Sequence, residues 1–211
     1  MSEADLRAYY EDEAADRDQR PLDPRRDGAR TDFIALLGTE GRRSVLEIGC
    51  GPGRDGAAFA AAGLDWAGID LAQSHVDLCT AKGLSATRGS VQQLPFPDGS
   101  FEAGWTMSTL MHLGDADLVS ALCELLRVLR PGAPLAVGLW GATADEHTVS
   151  DLDRVRRPQV PPRFFARRSD ATVRRLFGRI GTIERFLRWP AAQDWHYQWF
   201  IVRLGEASVG R

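Results

Sequence analysis

Short apolar runs recur along the chain, each followed by a stretch with apolar residues at helical spacing. "SVLEIG", beginning at Ser44, reads as a buried strand, and "DGAAFAAAG" as a small-residue helix stopped by Gly63. "DWAGIDL" and "SHVDLCTAKG" repeat the pair, with Gly83 ending the second helix. "LSATRG" is a short, half-polar third strand and "FEAGWTM" a fourth. "DADLVSALCELLRVL" carries apolar residues every three or four positions, "RPG" breaks it, and "PLAVGLW" is a fifth strand. Strands alternating with helices imply parallel pairing through right-handed crossovers, so a doubly wound α/β sheet.

The two ends differ from this rhythm. Residues Ala4 to Ala15 predict a helix, Arg20 to Gly28 a loop with two prolines, and Ala29 to Leu37 a second helix ending near Gly38. After Trp140 comes a polar segment, then a helix in "RSDATVRRLFGRIG". "TIERFLRW" and "WHYQWFIVRL", separated by "PAAQD", predict an antiparallel hairpin at the sheet edge.

Composition narrows the class. The 211 residues suit one domain, 1–211, and a net charge of −3 weakens the case for a dedicated nucleic-acid binder. The acidic start "MSEADLRAYYEDEAADRDQR" is unlike a signal peptide, and no apolar run reaches membrane-spanning length, so no membrane is expected. Three well-separated cysteines suit a reducing, cytoplasmic setting and argue against a disulfide framework or a zinc site, and the scattered histidines His75, His147 and His196 show no metal-ligand spacing.

The candidate chemistry lies in "VLEIGCGPGRDG", Val45 to Gly56. In open α/β sheets ligands bind at the carboxyl ends of strands where strand order reverses, and Gly49 and Gly51 let the backbone approach a ligand there. A dinucleotide fingerprint needs its third glycine three residues after the second; that position is Arg54, the glycine comes early at Gly53, and Pro52 removes a phosphate-binding N–H. These departures argue against a nicotinamide oxidoreductase. Glu47 before the loop tolerates a cationic ligand, and Asp70, ending "GID", is placed to accept from both hydroxyls of a ribose. A ribose, no phosphate and a positive charge together point to S-adenosylmethionine.

With these residues in place, the chain resembles the class I S-adenosylmethionine-dependent methyltransferases. The resemblance rests on "VLEIGCGPGRDG", "GIDLAQSHV", "GSVQQLPFPDGSFEAGWTMSTLMHL" and "LCELLRVLRPGAPLAV", in the family's order from Ser44 to Leu139. It implies a Rossmann-like methyltransferase fold, a seven-stranded, mostly parallel sheet with an antiparallel C-terminal strand. It further implies that Glu47, Gly49, Cys50, Gly51 and Gly53 surround the cofactor loop, that Asp70 holds the ribose and that Leu71 packs on adenine. Where relatives often have Gly-Asp this chain has Gly89-Ser90, which leaves the adenine amino group to Ser90, Val91 and Gln92. Thr106 and Met107 would face the methionine moiety. Cys50 also reads as a small buried side chain.

Tyr9 and Tyr10 read either as core contacts or as part of a tyrosine-bearing helix, within a lid of residues 1–28, that puts Tyr10 on the cofactor. His112 lies where the transferred methyl should emerge, either as general base or as a positioning residue. Residues 141–165 are the expected acceptor-site insertion, with Met111, His112, Trp140, Phe164 and Phe165 as its walls. Residues 151–189 hold eleven arginines against four acids, which fits an acidic small molecule, RNA, or a solvated charged face. The expected activity is methyl transfer to an oxygen or nitrogen of a small metabolite or natural product by a monomer or homodimer, leaving S-adenosylhomocysteine. The alternatives are an RNA- or protein-directed methyltransferase using the arginine-rich stretch, and a non-catalytic relative that keeps the cofactor pocket.

Overall fold

The computed structural model describes residues 2–150, 157–191 and 194–205. Seven strands form one sheet: β1 (Ser44–Ile48), β2 (Asp65–Asp70), β3 (Ala86–Arg88), β4 (Ala103–Met107), β5 (Pro134–Ala142), β8 (Gly181–Pro190) and β9 (Trp195–Leu204), in the order β3-β2-β1-β4-β5-β9-β8. The first five run parallel, while β9 is antiparallel to both β5 and β8. Strand order reverses between β1 and β4, so their carboxyl ends open a crevice there.

Alternation along β1 sorts its side chains onto two covered faces. Leu46 and Ile48 join the layer built by α5 (Asp115–Val128) and α6 (Asp170–Phe177). Val45 packs with Phe33, Phe59 and Trp105 under α2 (Pro24–Thr39), α3 (Arg54–Ala61) and α4 (Gln73–Ala81). The stripe Leu118, Ala121, Leu122, Leu125 and Val128 is what buries α5, as its spacing predicts.

At two places the chain is more regular than its sequence suggests. The predicted loop from Arg20 to Gly28 is half helix: α2 begins at Pro24, whose missing N–H costs nothing in the first turn, and Asp23 caps it by accepting from the Arg25 N–H at 2.8 Å. The polar segment after Trp140 contains a second, two-stranded sheet, β6 (Glu146–Ser150) against β7 (Arg163–Arg167). The remaining helix, α1 (Glu3–Gln19), lies over the crevice.

The α2–α3 layer is tied by one buried carboxylate. Asp55 accepts from Arg26 at 2.5 Å, Arg30 at 2.7 Å and the Trp105 indole at 2.8 Å. Burial pushes its pKa up, but these donors pull it below the ordinary carboxylate range. Glu47, also fully buried, is driven the other way by burial and by Asp55, and bonds only the Trp66 indole, at 3.0 Å. Replacing Asp55 with Ala strands the Arg26 guanidinium and the buried Trp105 indole N–H, while Arg30 keeps Asp27 at 2.9 Å, so a loss of about 3 kcal/mol is expected in urea unfolding.

Candidate cofactor and acceptor site

After β1 the chain turns through Gly49 (φ +68°), Gly51 (φ +54°) and Gly53 (φ +77°). The Gly49 and Cys50 N–H groups both donate to the Ile69 carbonyl, at 2.8 and 3.1 Å, and the Gly51 N–H reaches the Asp70 carboxylate at 2.8 Å. A Cβ on Gly49 would lie 2.0 Å from the Thr109 hydroxyl, whereas one on Gly51 would meet only Arg17, at 3.6 Å. The loop therefore closes on Thr109 behind while its Gly51 side stays open.

Asp70 is held from three directions, with the Ala72 N–H at 3.0 Å and His75 Nδ1 at 3.1 Å on its second oxygen. Burial alone would raise its pKa, but His75 and the two backbone donors keep it low and the group ionised. An ionised carboxylate only accepts, so His75 Nδ1 carries the proton. His75 Nε2 is buried with no hydrogen-bond partner among the described residues.

Two connected hollows flank this carboxylate. One, of about 620 Å³, has Ile48, Ile69, Leu71 and Val91 as apolar walls and Gln92 at its end. The other, of about 400 Å³, is bordered by Tyr10, Arg17, Gly51, His75 and Ser108. They share Leu6, Gly49, Asp70, Leu71, Thr109 and His112. Past Tyr10 and Ser108 lies a third chamber of about 1000 Å³ with Met111, Trp140, Phe165, Trp189 and Tyr197 on its walls. There Trp189 stacks on Tyr197 at 5.2 Å and Trp140 meets it edge-on at 5.3 Å.

α1 covers the opening and is held largely by polar contacts. The Glu11 carboxylate accepts from the Gln73 and Ser74 N–H groups at 2.7 and 2.9 Å, capping α4 from another helix where Ala72 offers no side-chain cap. Lys82 pairs with Asp18 and donates to the Pro52 carbonyl, and Arg157 reaches Asp12 and Asp16. Tyr10 projects inward, its hydroxyl 2.8 Å from His112 Nε2.

His112 ends a single 3-10 turn, Leu110–His112. Its Nδ1 is 2.8 Å from the Phe164 carbonyl, which can only accept, so Nδ1 donates and Nε2 accepts from Tyr10. Burial lowers its pKa to about 4, with Arg163 and Arg17 adding to the effect, so the ring is neutral at physiological pH.

Of the residues predicted for the cofactor, Gly49, Gly51, Asp70, Leu71, Val91, Gln92 and Tyr10 border the two hollows, as does His112. Met111, Trp140 and Phe165 line the third chamber. Others point elsewhere. Strand alternation turns Glu47 under the helices, and burial makes it a poor counter-charge. Cys50, Thr106 and Met107 are buried in the interior, and a Cβ on Gly53 would strike Cys79 and Leu84 at 2.8 Å. Ser90 bonds Glu3 of α1 and its own Gln92 N–H. Phe164 sits on the opposite face of β7 from Phe165, against the ring of His147. His75, Arg17, Ser108 and Thr109 border the hollows as well, beyond the residues that the sequence predicts for the site. His75 has a visible signal, a histidine one helical turn into the element that follows the acid.

The order of strands, the glycine turn at the switch point and the acid ending β2 define a nucleoside-binding α/β class. A methyltransferase-domain family matches residues 45–132. An O-methyltransferase of Aspergillus sclerotiorum is 30% identical over 49% of this chain and 42% of its own length. The fatty-acid O-methyltransferase of Mycolicibacterium smegmatis is 37% identical over 46% of this chain and 37% of its own. The chain thus spans less than half the length of these relatives. In fold it resembles the Burkholderia thailandensis 1,6-didemethyltoxoflavin-N1-methyltransferase, solved with its substrate and S-adenosylhomocysteine, with a TM-score of 0.72, 19% identity, and coverage of 96% of this chain and 88% of that one. Over residues 45–132 the chain is thus similar to a methyltransferase-domain family, and its fold is the Rossmann-like one of such methyltransferases.

The tautomer at His112 can be checked directly. In nitrogen-detected NMR its imidazole should titrate near pH 4, with Nδ1 protonated above that. A midpoint near 6.5, the ordinary histidine value, would mean that the ring is not buried beneath α1.

Proposed function

We propose that this protein transfers a methyl group from S-adenosylmethionine to an oxygen or nitrogen of a small molecule, leaving S-adenosylhomocysteine. The observation that carries the reading is the ionised Asp70 carboxylate, fixed at the end of β2 and exposed to both hollows. The residues present fit the cofactor. Asp70 would take the ribose hydroxyls, with the orphaned His75 Nε2 beside it. The apolar walls Ile69, Leu71 and Val91 would flank the adenine, with Gln92 at its edge. The open side of Gly51, with Arg17 above it, would receive the methionine end. Once bound, the cofactor supplies a sulfonium already activated for displacement.

What the chain adds is placement. The third chamber meets the cofactor hollow at Tyr10, Arg17 and Ser108, so an acceptor there would approach along one line. The Tyr10 hydroxyl borders both spaces while donating to His112 Nε2. Burial holds the His112 ring neutral down to about pH 4, too weak a base to store a proton leaving the acceptor, so it accepts from the Tyr10 hydroxyl and fixes where the tyrosine oxygen meets the acceptor. Tyr10 is then the group in contact with the acceptor, and His112 acts through it. α1 serves as the lid, and the segment 141–165 supplies the β7 backbone that orients His112.

The RNA- or protein-directed alternative draws less support, because four arginines from β7 to the end of β8 are spent on separate intramolecular pairs. Arg167 pairs with Glu146, Arg168 with Asp115, Arg185 with Asp32 and Arg188 with Asp170. No helix among the described residues is long and apolar enough to cross a membrane.

Calorimetry with S-adenosylhomocysteine tests the cofactor site. Asp70→Ala and Gly51→Val should each weaken binding at least about tenfold, roughly the 1.4 kcal/mol of one good polar contact; undiminished affinity in both refutes the assignment. For the acceptor contact, Tyr10→Phe should lower kcat/KM for the acceptor with the fold intact by thermal unfolding, whereas a purely structural tyrosine would lower stability and leave kcat/KM of the folded protein in place.

A further inference from the structure

The third chamber is unusual in charge. Its wall carries Arg17, Arg20, Arg25, Arg26, Arg54 and Arg163, against one acid, Asp23. Nearby carboxylates are shared. Glu13 is divided between Arg17 and Arg20, Asp55 between Arg26 and Arg30, and Asp23 is taken by Arg25. Arg54 has no carboxylate within ion-pair range among the described residues; its one hydrogen bond goes to the Arg20 backbone carbonyl. A guanidinium has five N–H donors, so most of those of Arg54 remain available. Burial, then Arg26 and Arg17, lower its pKa, as expected where positive charge is gathered without enough counter-charge. The same wall carries the aromatic cluster of Trp140, Trp189 and Tyr197.

Resting on the methyltransferase reading of this site, we propose that the acceptor is a flat aromatic or heteroaromatic anion, bearing a carboxylate or phosphate, whose acidic group binds Arg54 while its ring lies among Trp140, Trp189 and Tyr197. Bidentate pairing with a planar oxyanion suits a guanidinium whose donors are free, and aromatic walls suit a rigid ring. A second anion could reach the same cations, the carboxylate of the cofactor's methionine moiety. Arg17 borders both the cofactor hollow and the chamber, whereas Arg54 borders only the chamber, so the two anions are assigned to different arginines.

The test uses matched probes on the protein saturated with S-adenosylhomocysteine: 2-naphthoate and 1-naphthyl phosphate against the neutral 2-naphthamide, by calorimetry. The anions should bind at least about tenfold more tightly than the amide, the range of a charge-assisted pair. Arg54→Met should remove that preference while S-adenosylhomocysteine affinity stays within about twofold, and Arg54→Lys, which keeps the charge but not the fork, should retain part of it. Thermal unfolding of both variants confirms that they fold. Absence of an anion preference in the unmutated protein overturns the proposal. So does an Arg54→Met variant that keeps the preference but loses S-adenosylhomocysteine affinity, since Arg54 would then serve the donor. Failure of the unmutated protein to bind S-adenosylhomocysteine at all would instead overturn the methyltransferase reading.

Discussion

The site depends on a strap between two neighbouring strands. β1 and β2 pair in register up to Ile48 and Ile69, and the ladder ends there. The next two N–H groups, Gly49 and Cys50, converge on one carbonyl, which leaves the Gly51 N–H to find its own acceptor. The Asp70 side chain supplies it. Because the backbone at Gly51 has a positive φ, a residue with a Cβ would resist this turn. One hydrogen bond thus fixes the glycine loop, aims the carboxylate into the crevice and helps keep it charged.

Around the strap the interior treats two acids in opposite ways. Asp55 collects Arg26, Arg30 and the Trp105 indole and stays ionised, while Glu47, eight residues earlier, has one indole donor and is driven toward its neutral form. The difference is the supply of donors, since both are buried. It also explains how α2 is anchored, by guanidinium groups reaching inward as well as by Phe33 and Leu37. α1 follows the same logic further out: Glu11, Asp18 and Asp12 hold it more than its few buried side chains, Tyr9, Glu13 and Ala14. Polar contacts at a rim exchange readily with water, which suits an element that must let ligands pass.

The sheet and the loop were legible because their signals are local. Apolar runs such as "SVLEIG" and "PLAVGLW" have no amphipathic reading, and Gly49, Gly51 and Asp70 sit at the ends of strands where the class binds ligands. The direction of individual side chains was harder. Glu47 and Met107 lie on the right strands, but they meet Trp66 and Tyr197, 19 and 90 residues away in sequence. Ser90 was assigned to a ligand because its partner, Glu3, comes from α1. The start of α2 was misread as loop because Pro24 breaks a helix interior yet favours a first turn. β6 and β7 were missed because "EHTVS" and "RFFAR" are too polar to declare themselves before they pair. The arginine chamber is illegible in the sequence for a related reason, its members coming from α1, the turn after it, α2, α3 and β7.

The position of β9 between β5 and β8 has a consequence for how the molecule is made. The strap, Asp70 and the floor of the cofactor hollow arise from consecutive βαβ units whose contacts close short loops. The chamber beyond Tyr10 cannot exist until Pro134 pairs with Arg203, across a loop that contains β6, β7, α6 and β8. Non-local pairing of this kind is slow, and until it happens the outer edge of β5 stands open with Leu135, Val137 and Leu139 beside it. A chain synthesised only as far as β5 holds the residues of the donor side, lacks those that complete the acceptor side and leaves the outer edge of β5 unpaired. The interval before β9 pairs there is where loss to aggregation, or rescue by a chaperone, would be decided.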